Sequence, residues 1–232
     1  MPINIDIVDK AISIVAKRNS GKSYLLRYLV KKQAHRFKKI FVICPTDSIN
    51  SFYSTITDKS CIFDEFSENW ANQLIDQLMQ VNSDNNQEKK RVLLILDDCM
   101  SDINFCKSKA MKTIYSRGRH FFLTIISASQ YLKNLSPLCR SNSDFVFCGQ
   151  SNRASIDILI HEFCCNLSNN EFIDLYKKAI INYGFLVINN NSIKDNDDIK
   201  NMRKVKKMKK MKFMKKIQKV INFLYLMRIL QC

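Results

Sequence analysis

An apolar, β-branched run, Ala11-Ile-Ser-Ile-Val-Ala16, passes through a polar loop, Lys17-Arg18-Asn19-Ser20-Gly21-Lys22-Ser23. The loop leads into Tyr24-Leu-Leu-Arg-Tyr-Leu-Val30, where apolar residues recur at helical spacing. The order reads as strand, loop, helix. The loop fits the phosphate-binding pattern G-x-x-x-x-G-K-[ST] if its first position accepts Ala16, which a negative φ at that residue would allow. The chain has 232 residues and 4 Gly in all, so Gly21 calls for a backbone reason. A polar loop without a task is the competing reading.

The chemistry of the pattern explains its spacing. Backbone N–H groups of the loop and of the next helix's first turn converge on a phosphate. Gly21 lets the backbone come close. Lys22 places an ammonium between β- and γ-phosphates, and Ser23 offers a hydroxyl to Mg²⁺. The expected nucleotide-binding residues are therefore Ala16, Lys17, Arg18, Asn19, Ser20, Gly21, Lys22, Ser23 and Tyr24, with ATP and Mg²⁺ as cofactors.

A second motif follows. Val92-Leu-Leu-Ile-Leu96-Asp97-Asp98 is a continuously apolar run ending in two acids. Such a run suits a strand buried on both faces. An acid at that strand end holds Mg²⁺ in P-loop ATPases, and a neighbouring acid activates water. Asp97 is the expected metal ligand with Ser23, and Asp98 the expected base. A turn or helix cap is the plainer role for Asp98.

A third segment, Ser116-Arg117-Gly118-Arg119-His120, precedes the apolar strand Phe121 to Ser127 and then Ser129-Gln130. Gln130 sits where a polar side chain can sense the γ-phosphate or the attacking water. Arg117 and Arg119 fall at the opposite strand end. From there they could serve a neighbouring subunit's nucleotide as an arginine finger. Surface or DNA-contacting charge is the other reading.

Further strands are expected at Ile40 to Cys44, Ile62–Phe63, Asp144 to Cys148 and Phe185 to Ile188. Helices are expected near Asn69 to Val81, residues 104 to 116, Ser151 to Phe163 and Ser168 to Ile181. Strands alternating with helices, several of them apolar on both faces, predict an α/β fold: a mainly parallel central sheet flanked by helices. Residues 1–190 read as the core domain and 191–232 as a polar linker and Lys/Met-rich basic tail.

Charge is uneven. Of 37 Lys and Arg, 12 lie between Lys200 and Cys232, where there is no Asp or Glu; residues 1–199 hold 25 basic against 21 acidic residues. A basic tail of this kind suits a polyanion, nucleic acid or anionic membrane. Its apolar residues (Met202, Val205, Met208, Met211, Met214, Ile217) recur mostly every third position, which drifts around a helix and makes no sharp face. A DNA-binding arm, an anchor on a membrane or portal protein, and an extension without a partner all remain open. Nine scattered Cys without a C-x-x-C pair read as core thiols in a reducing compartment rather than a zinc site. Neither a secretory signal nor an 18-residue apolar run is visible.

Together these segments resemble the FtsK–HerA superfamily of DNA-pumping ATPases. Within it they resemble the small genome-packaging ATPases of poxviruses, other large DNA viruses and virophages. The Gly118-Arg119-His120, strand, Gln130 arrangement is the most specific element. Pro137-Leu-Cys-Arg140-Ser-Asn142 is similar to an Arg-x-Asn segment of that family, and Tyr183-Gly-Phe-Leu-Val-Ile188 to its last core strand. The likeness runs from about Ala11 to Ile188. The departures are Ala16 at the head of the loop and Asp-Asp in place of Asp-Glu. It implies a RecA-like core working in a homo-oligomeric ring, pentamer or hexamer, that hydrolyses ATP to move double-stranded DNA into a preformed capsid. It also implies action in the host cytoplasm, at the viral factory, or in the virion, with a capsid portal vertex or inner membrane protein as further partners. A HerA-like helicase or translocase, a nucleotide kinase and a non-hydrolysing DNA-binding module are the alternatives.

Overall fold

The computed structural model describes residues 5–47, 51–84, 87–99, 107–164 and 167–190, together with the backbone of 224–227. Its strands are β1 (Ala11–Val15), β2 (Lys39–Ile43), β3 (Ile62–Phe63), β4 (Val92–Asp97), β5 (Leu123–Ser129), β6 (Phe145–Cys148), β7 (Phe185–Asn189) and β8 (Leu224–Met227). Its helices are α1 (Lys22–Gln33), α2 (Glu68–Val81), α3 (Lys109–Arg117), α4 (Pro137–Ser141), α5 (Arg153–Phe163) and α6 (Asn169–Ala179). The strands form one sheet in the order β3-β2-β4-β5-β1-β6-β7-β8. Pairing is parallel from β3 through β6 and antiparallel for β6–β7 and β7–β8. The expected α/β architecture is borne out.

Alternation along each strand divides the core in two. On β4, Leu93 and Ile95 join Leu25, Leu26, Leu29 and Val30 of α1. Val92, Leu94 and Leu96 join Leu74 and Ile75 of α2 and Met111 and Ile114 of α3. All five apolar side chains of β4 are buried, which explains the unbroken apolar run. Burying one such side chain stabilises the fold by about 1.5–3 kcal/mol.

Helix starts follow capping residues. Ser67, Ser108, Ser136 and Asn152 each accept a backbone N–H from the first turn of α2, α3, α4 and α5. Ser168 and Glu171 form a reciprocal capping box on α6. The Glu68 carboxylate also accepts the N–H groups of Lys109 and Ala110, at 2.8 and 3.2 Å, tying α2 to the start of α3.

Two boundaries differ from the sequence reading. Residues Gly118–Phe121 form a 3₁₀ turn, and Phe122 adopts φ 62, so β5 begins at Leu123 and runs on through Ser129. The helix expected from 104 begins at Lys109 behind its Ser108 cap; residues 104–106 lie outside the described residues. The expected linker and tail also lie outside them, apart from Leu224–Met227, which joins the sheet edge against β7. Among the described residues no helix is long and apolar enough to cross a membrane. Cys44, Cys61, Cys139, Cys148 and Cys164 are buried free thiols.

Candidate nucleotide site

Register fixes what meets at one end of the sheet. Val15 of β1 pairs with Ser129 of β5, and Ala128 pairs with Asp97 of β4. The carboxyl ends of three adjacent parallel strands therefore deliver the Ala16–Ser23 loop, Gln130 and the Asp97-Asp98 pair to one place. Open α/β sheets bind ligands at such strand ends. Lys17 to Ser23, Asp97, Asp98 and Gln130 line a cleft of about 1090 Å³, while Ala16, expected among the nucleotide-binding residues, is fully buried and outside that lining.

The loop has the backbone of an anion cradle. Asn19 (φ 58) and Gly21 (φ 88) are left-handed on either side of Ser20. Alternation of this kind turns successive N–H groups toward a common centre. Gly21 is the N-cap of α1, and no side chain caps that helix. Its first-turn N–H groups and the positive end of its dipole therefore face the cleft. Every other α-helix described carries a side-chain cap, which makes this start distinctive.

Ala16 at the head of the loop is accommodated by an exchange. Its φ is not positive, so glycine is not required. Its methyl is fully buried, and the space beside it is left by Gly149, where a Cβ would come within 2.8 Å of the Ala16 Cβ and 2.7 Å of the Phe185 ring. The glycine of this contact stands at the end of β6, the neighbouring strand. Lys17 N–H donates to the Gln150 carbonyl at 2.6 Å. The Tyr176 hydroxyl, from α6, donates to the Gly149 carbonyl at 2.8 Å and accepts the Ser151 N–H at 2.9 Å. Ser20 Oγ closes the loop internally by donating to the Lys17 carbonyl.

Lys22 is buried, and its Nζ donates to the Ala16 carbonyl at 2.8 Å. Burial lowers its pKa from the ordinary lysine value, with Asp98 and Asp97 pulling the other way. Ser23 and Tyr24 are exposed on the first turn of α1, and Lys17, Arg18 and Asn19 are exposed in the loop.

Asp97 is buried at the end of β4. Its Oδ2 accepts the Tyr53 hydroxyl at 2.6 Å. Burial raises its pKa, while the Tyr53 hydrogen bond and Lys22 act downward. Asp98 is exposed, with a left-handed φ of 56, and its N–H donates to the Ala128 carbonyl at 3.2 Å. Gln130 Nε2 donates to both carboxylate oxygens of Asp98 at 3.2 Å. The side chain expected to sense phosphate is thus bonded to the side chain expected to activate water.

Ser23 and Asp97 offer a hydroxyl and a carboxylate oxygen on one cleft, a donor set that suits Mg²⁺ completed by phosphate and water. The residues present fit that ion.

Arg117 and Arg119 are exposed at the other end of the sheet, on the last turn of α3 and in the turn before β5. Arg119 borders a separate cleft of about 210 Å³ with Asp9, Lys10 and Asp144. Neither belongs to the lining of the nucleotide cleft of its own chain. Arg140 is buried and spends its guanidinium on Glu162, with Nε at 2.7 Å, and on the Leu135 carbonyl at 2.5 Å. It holds the chain that follows β5.

Sequence reasoning missed Tyr53, Asp47, Gly149 and Tyr176. Tyr53 sits in a 3₁₀ turn after β2, with its N–H on the buried Asp47 carboxylate at 2.9 Å. No spacing rule ties it to Asp97, 44 positions on. Gly149 carried a signal in principle, as one of few glycines next to a strand end.

Fold and site together define a P-loop NTPase domain. The family profile described as "Poxvirus A32 protein" matches residues 7–214, and the chain belongs to that family. The match extends past the Ala11 to Ile188 span into the basic tail. Among viral relatives, protein 015R of Frog virus 3 is 24% identical over 195 residues, covering 84% of this chain and 61% of that protein. Protein L437 of Acanthamoeba polyphaga mimivirus is 32% identical over 153 residues, covering 62% of this chain and 54% of that protein. The chain thus spans little more than half the length of these relatives. Among solved structures, the genome packaging NTPase B204 from Sulfolobus turreted icosahedral virus 2, in complex with ATP-gammaS, superposes with a TM-score of 0.58 at 19% identity. That match covers 80% of this chain and 94% of B204, and shows a shared fold.

Proposed function

We propose that this chain is an ATPase that drives double-stranded DNA into a viral capsid, working as a homo-oligomeric ring. The observation that carries the reading is the convergence of Lys22, Asp97, Asp98 and Gln130 on the uncapped start of α1. Membership of the A32 family and the fold shared with a genome packaging NTPase support it.

In this reading the loop N–H groups and Lys22 hold the β- and γ-phosphates. Ser23 and Asp97 hold Mg²⁺, which when bound neutralises phosphate charge and orients the terminal phosphoryl group. Lys22 leaves the Ala16 carbonyl for phosphate, an exchange of one oxygen acceptor for another. Asp98, steadied by Gln130, takes the proton of the attacking water. An arginine of the Arg117–Arg119 pair reaches the nucleotide of the adjacent subunit, since it lies far from its own. The basic segment beyond Lys200 offers phosphate neutralisation without sequence choice, and portal or membrane contacts belong to the same proposal. The ring would act at the viral factory in the host cytoplasm.

The test is ATP hydrolysis with and without double-stranded DNA, alongside Lys22→Ala. The expected result is DNA-stimulated turnover that Lys22→Ala abolishes. Turnover indifferent to DNA but stimulated by a nucleoside would overturn the motor in favour of a kinase. Binding of DNA without turnover under any condition would leave a DNA-binding module.

A further inference from the structure

The phosphate cradle accounts for one side of the cleft. Tyr183, 54% exposed, borders the same cleft, as does Tyr24, 74% exposed. Ligand clefts are commonly lined by aromatic side chains that complement a few placed polar groups. Tyr183 stands two residues before Phe185, whose ring packs where a Gly149 Cβ would lie, beside Ala16. Because β7 runs antiparallel to β6, with Cys148 opposite Leu186, its first residues lie at the carboxyl end of β1 and β6, next to the loop.

The backbone there is left-handed at two successive residues that are not glycine, Asn182 (φ 53) and Tyr183 (φ 58). Bulky side chains rarely take this conformation. Gly184 follows directly, yet it adopts φ −70, ψ 164, which any residue could take. The tolerant residue does the ordinary work, and the aromatic residue carries the unfavourable backbone. Strain of this kind persists where the surroundings demand a particular side-chain placement.

Resting on the nucleotide reading above, we infer that Tyr183 is the platform for the heteroaromatic base of the nucleotide, on the cleft that Tyr24 also borders. The ring stacks on the base face, which every nucleobase presents, so the platform adds affinity without strict choice between adenine and guanine. Tyr183 has no part in holding phosphate.

The test compares MgATP with magnesium tripolyphosphate, which keeps the phosphate chain and lacks the base, by calorimetric titration of the full chain. Tyr183→Ala should weaken ATP about tenfold or more, as loss of one stacked base predicts, and leave tripolyphosphate unchanged. Tyr183→Phe should bind ATP as the parent does. Tyr183→Gly should lose ATP affinity while melting no lower than the parent, because glycine suits φ 58; a merely structural tyrosine would not give that split. Unchanged ATP affinity in Tyr183→Ala, or equal losses for ATP and tripolyphosphate, would overturn the inference alone. A parent protein that binds neither ligand would overturn the nucleotide reading and this one with it.

Discussion

Gln130 and Asp98 form a pair across the tips of β5 and β4, the Gln130 amide donating to both carboxylate oxygens at 3.2 Å. Each side chain follows the last residue of its own strand, and the two strands are neighbours in the sheet. A left-handed backbone at Asp98 turns its carboxylate toward that partner. The pair is a means of aiming a base, and it makes the amide and the acid interdependent.

That interdependence is testable by placing a charge on the partner. Gln130→Ala should cost activity by loosening Asp98. Gln130→Glu should cost more, because it sets a second carboxylate against the first. Lowering pH should partly rescue Gln130→Glu, since one proton shared between two acids restores a hydrogen bond. Asp98→Asn should lower turnover by roughly 10²- to 10⁴-fold, the usual worth of a general base, with ATP binding retained. Steady-state hydrolysis across pH, read beside calorimetric binding, separates the three variants.

Asp97 should trade stability for function. Its carboxyl titrates above the ordinary carboxylate value because it is buried. The folded chain therefore holds a proton that the unfolded chain releases over the interval between those two values, and stability falls as pH rises through it. Asp97→Asn removes the charge and keeps an oxygen for the Tyr53 hydroxyl. The nucleotide-free variant should melt higher than the parent above the raised pKa. That gain should vanish as pH falls to the ordinary carboxylate range. Scanning calorimetry over pH checks the sign, and loss of Mg²⁺-dependent ATP binding in the same variant checks the role.

Gly149 and Ala16 give a packing prediction. A methyl on Gly149 would meet the Phe185 ring at 2.7 Å and the Ala16 methyl at 2.8 Å, both in a fully packed place. Gly149→Ala should destabilise the fold by about 1–3 kcal/mol, the common cost of overpacking, and displace the head of the loop. Gly149→Ala combined with Ala16→Gly should recover part of both losses, because it relieves the 2.8 Å contact and leaves the 2.7 Å contact with the Phe185 ring. Chemical denaturation and ATP affinity of the two proteins measure it.

These relationships show where sequence was readable. The loop from Ala16 to Ser23 and the Val92–Asp98 run were legible because each couples a local pattern to one chemistry: glycine before lysine at a strand–helix junction, and acids after a run buried on both faces. The order of strands was not, since apolar runs do not announce their neighbours. The start of β5 was misplaced because Phe121 and Phe122 continue the apolar pattern while their backbone turns, in a 3₁₀ turn and then at φ 62. Tyr53 was invisible for another reason. Its bond to Asp97 is a tertiary contact between a loop tyrosine and a strand end, and neither residue constrains the other's position in the chain. The same holds for Tyr176, which reads as an apolar residue of a helix face and yet braces the Gly149 carbonyl.

The placement of Arg117 and Arg119 leads to a prediction about assembly. Both lie at the amino ends of the parallel strands, and the phosphate loop lies at the carboxyl ends. No side-chain rotation carries either guanidinium across the sheet to its own cleft. If one of them serves catalysis, it does so in a neighbour. Arg119→Ala alone should then be nearly inactive at every concentration, as should Asp98→Asn alone. Mixed, the two proteins form rings in which an intact Asp98 in one subunit meets an intact Arg119 from the next, and part of the activity should return. The recovered rate should rise with total protein concentration, because the site exists only between subunits. Recovery is absent if the arginines contact DNA instead; Arg119→Ala would then lose DNA stimulation and keep its basal rate. Measuring hydrolysis over a range of mixing ratios, with and without DNA, distinguishes a shared active site from a surface charge.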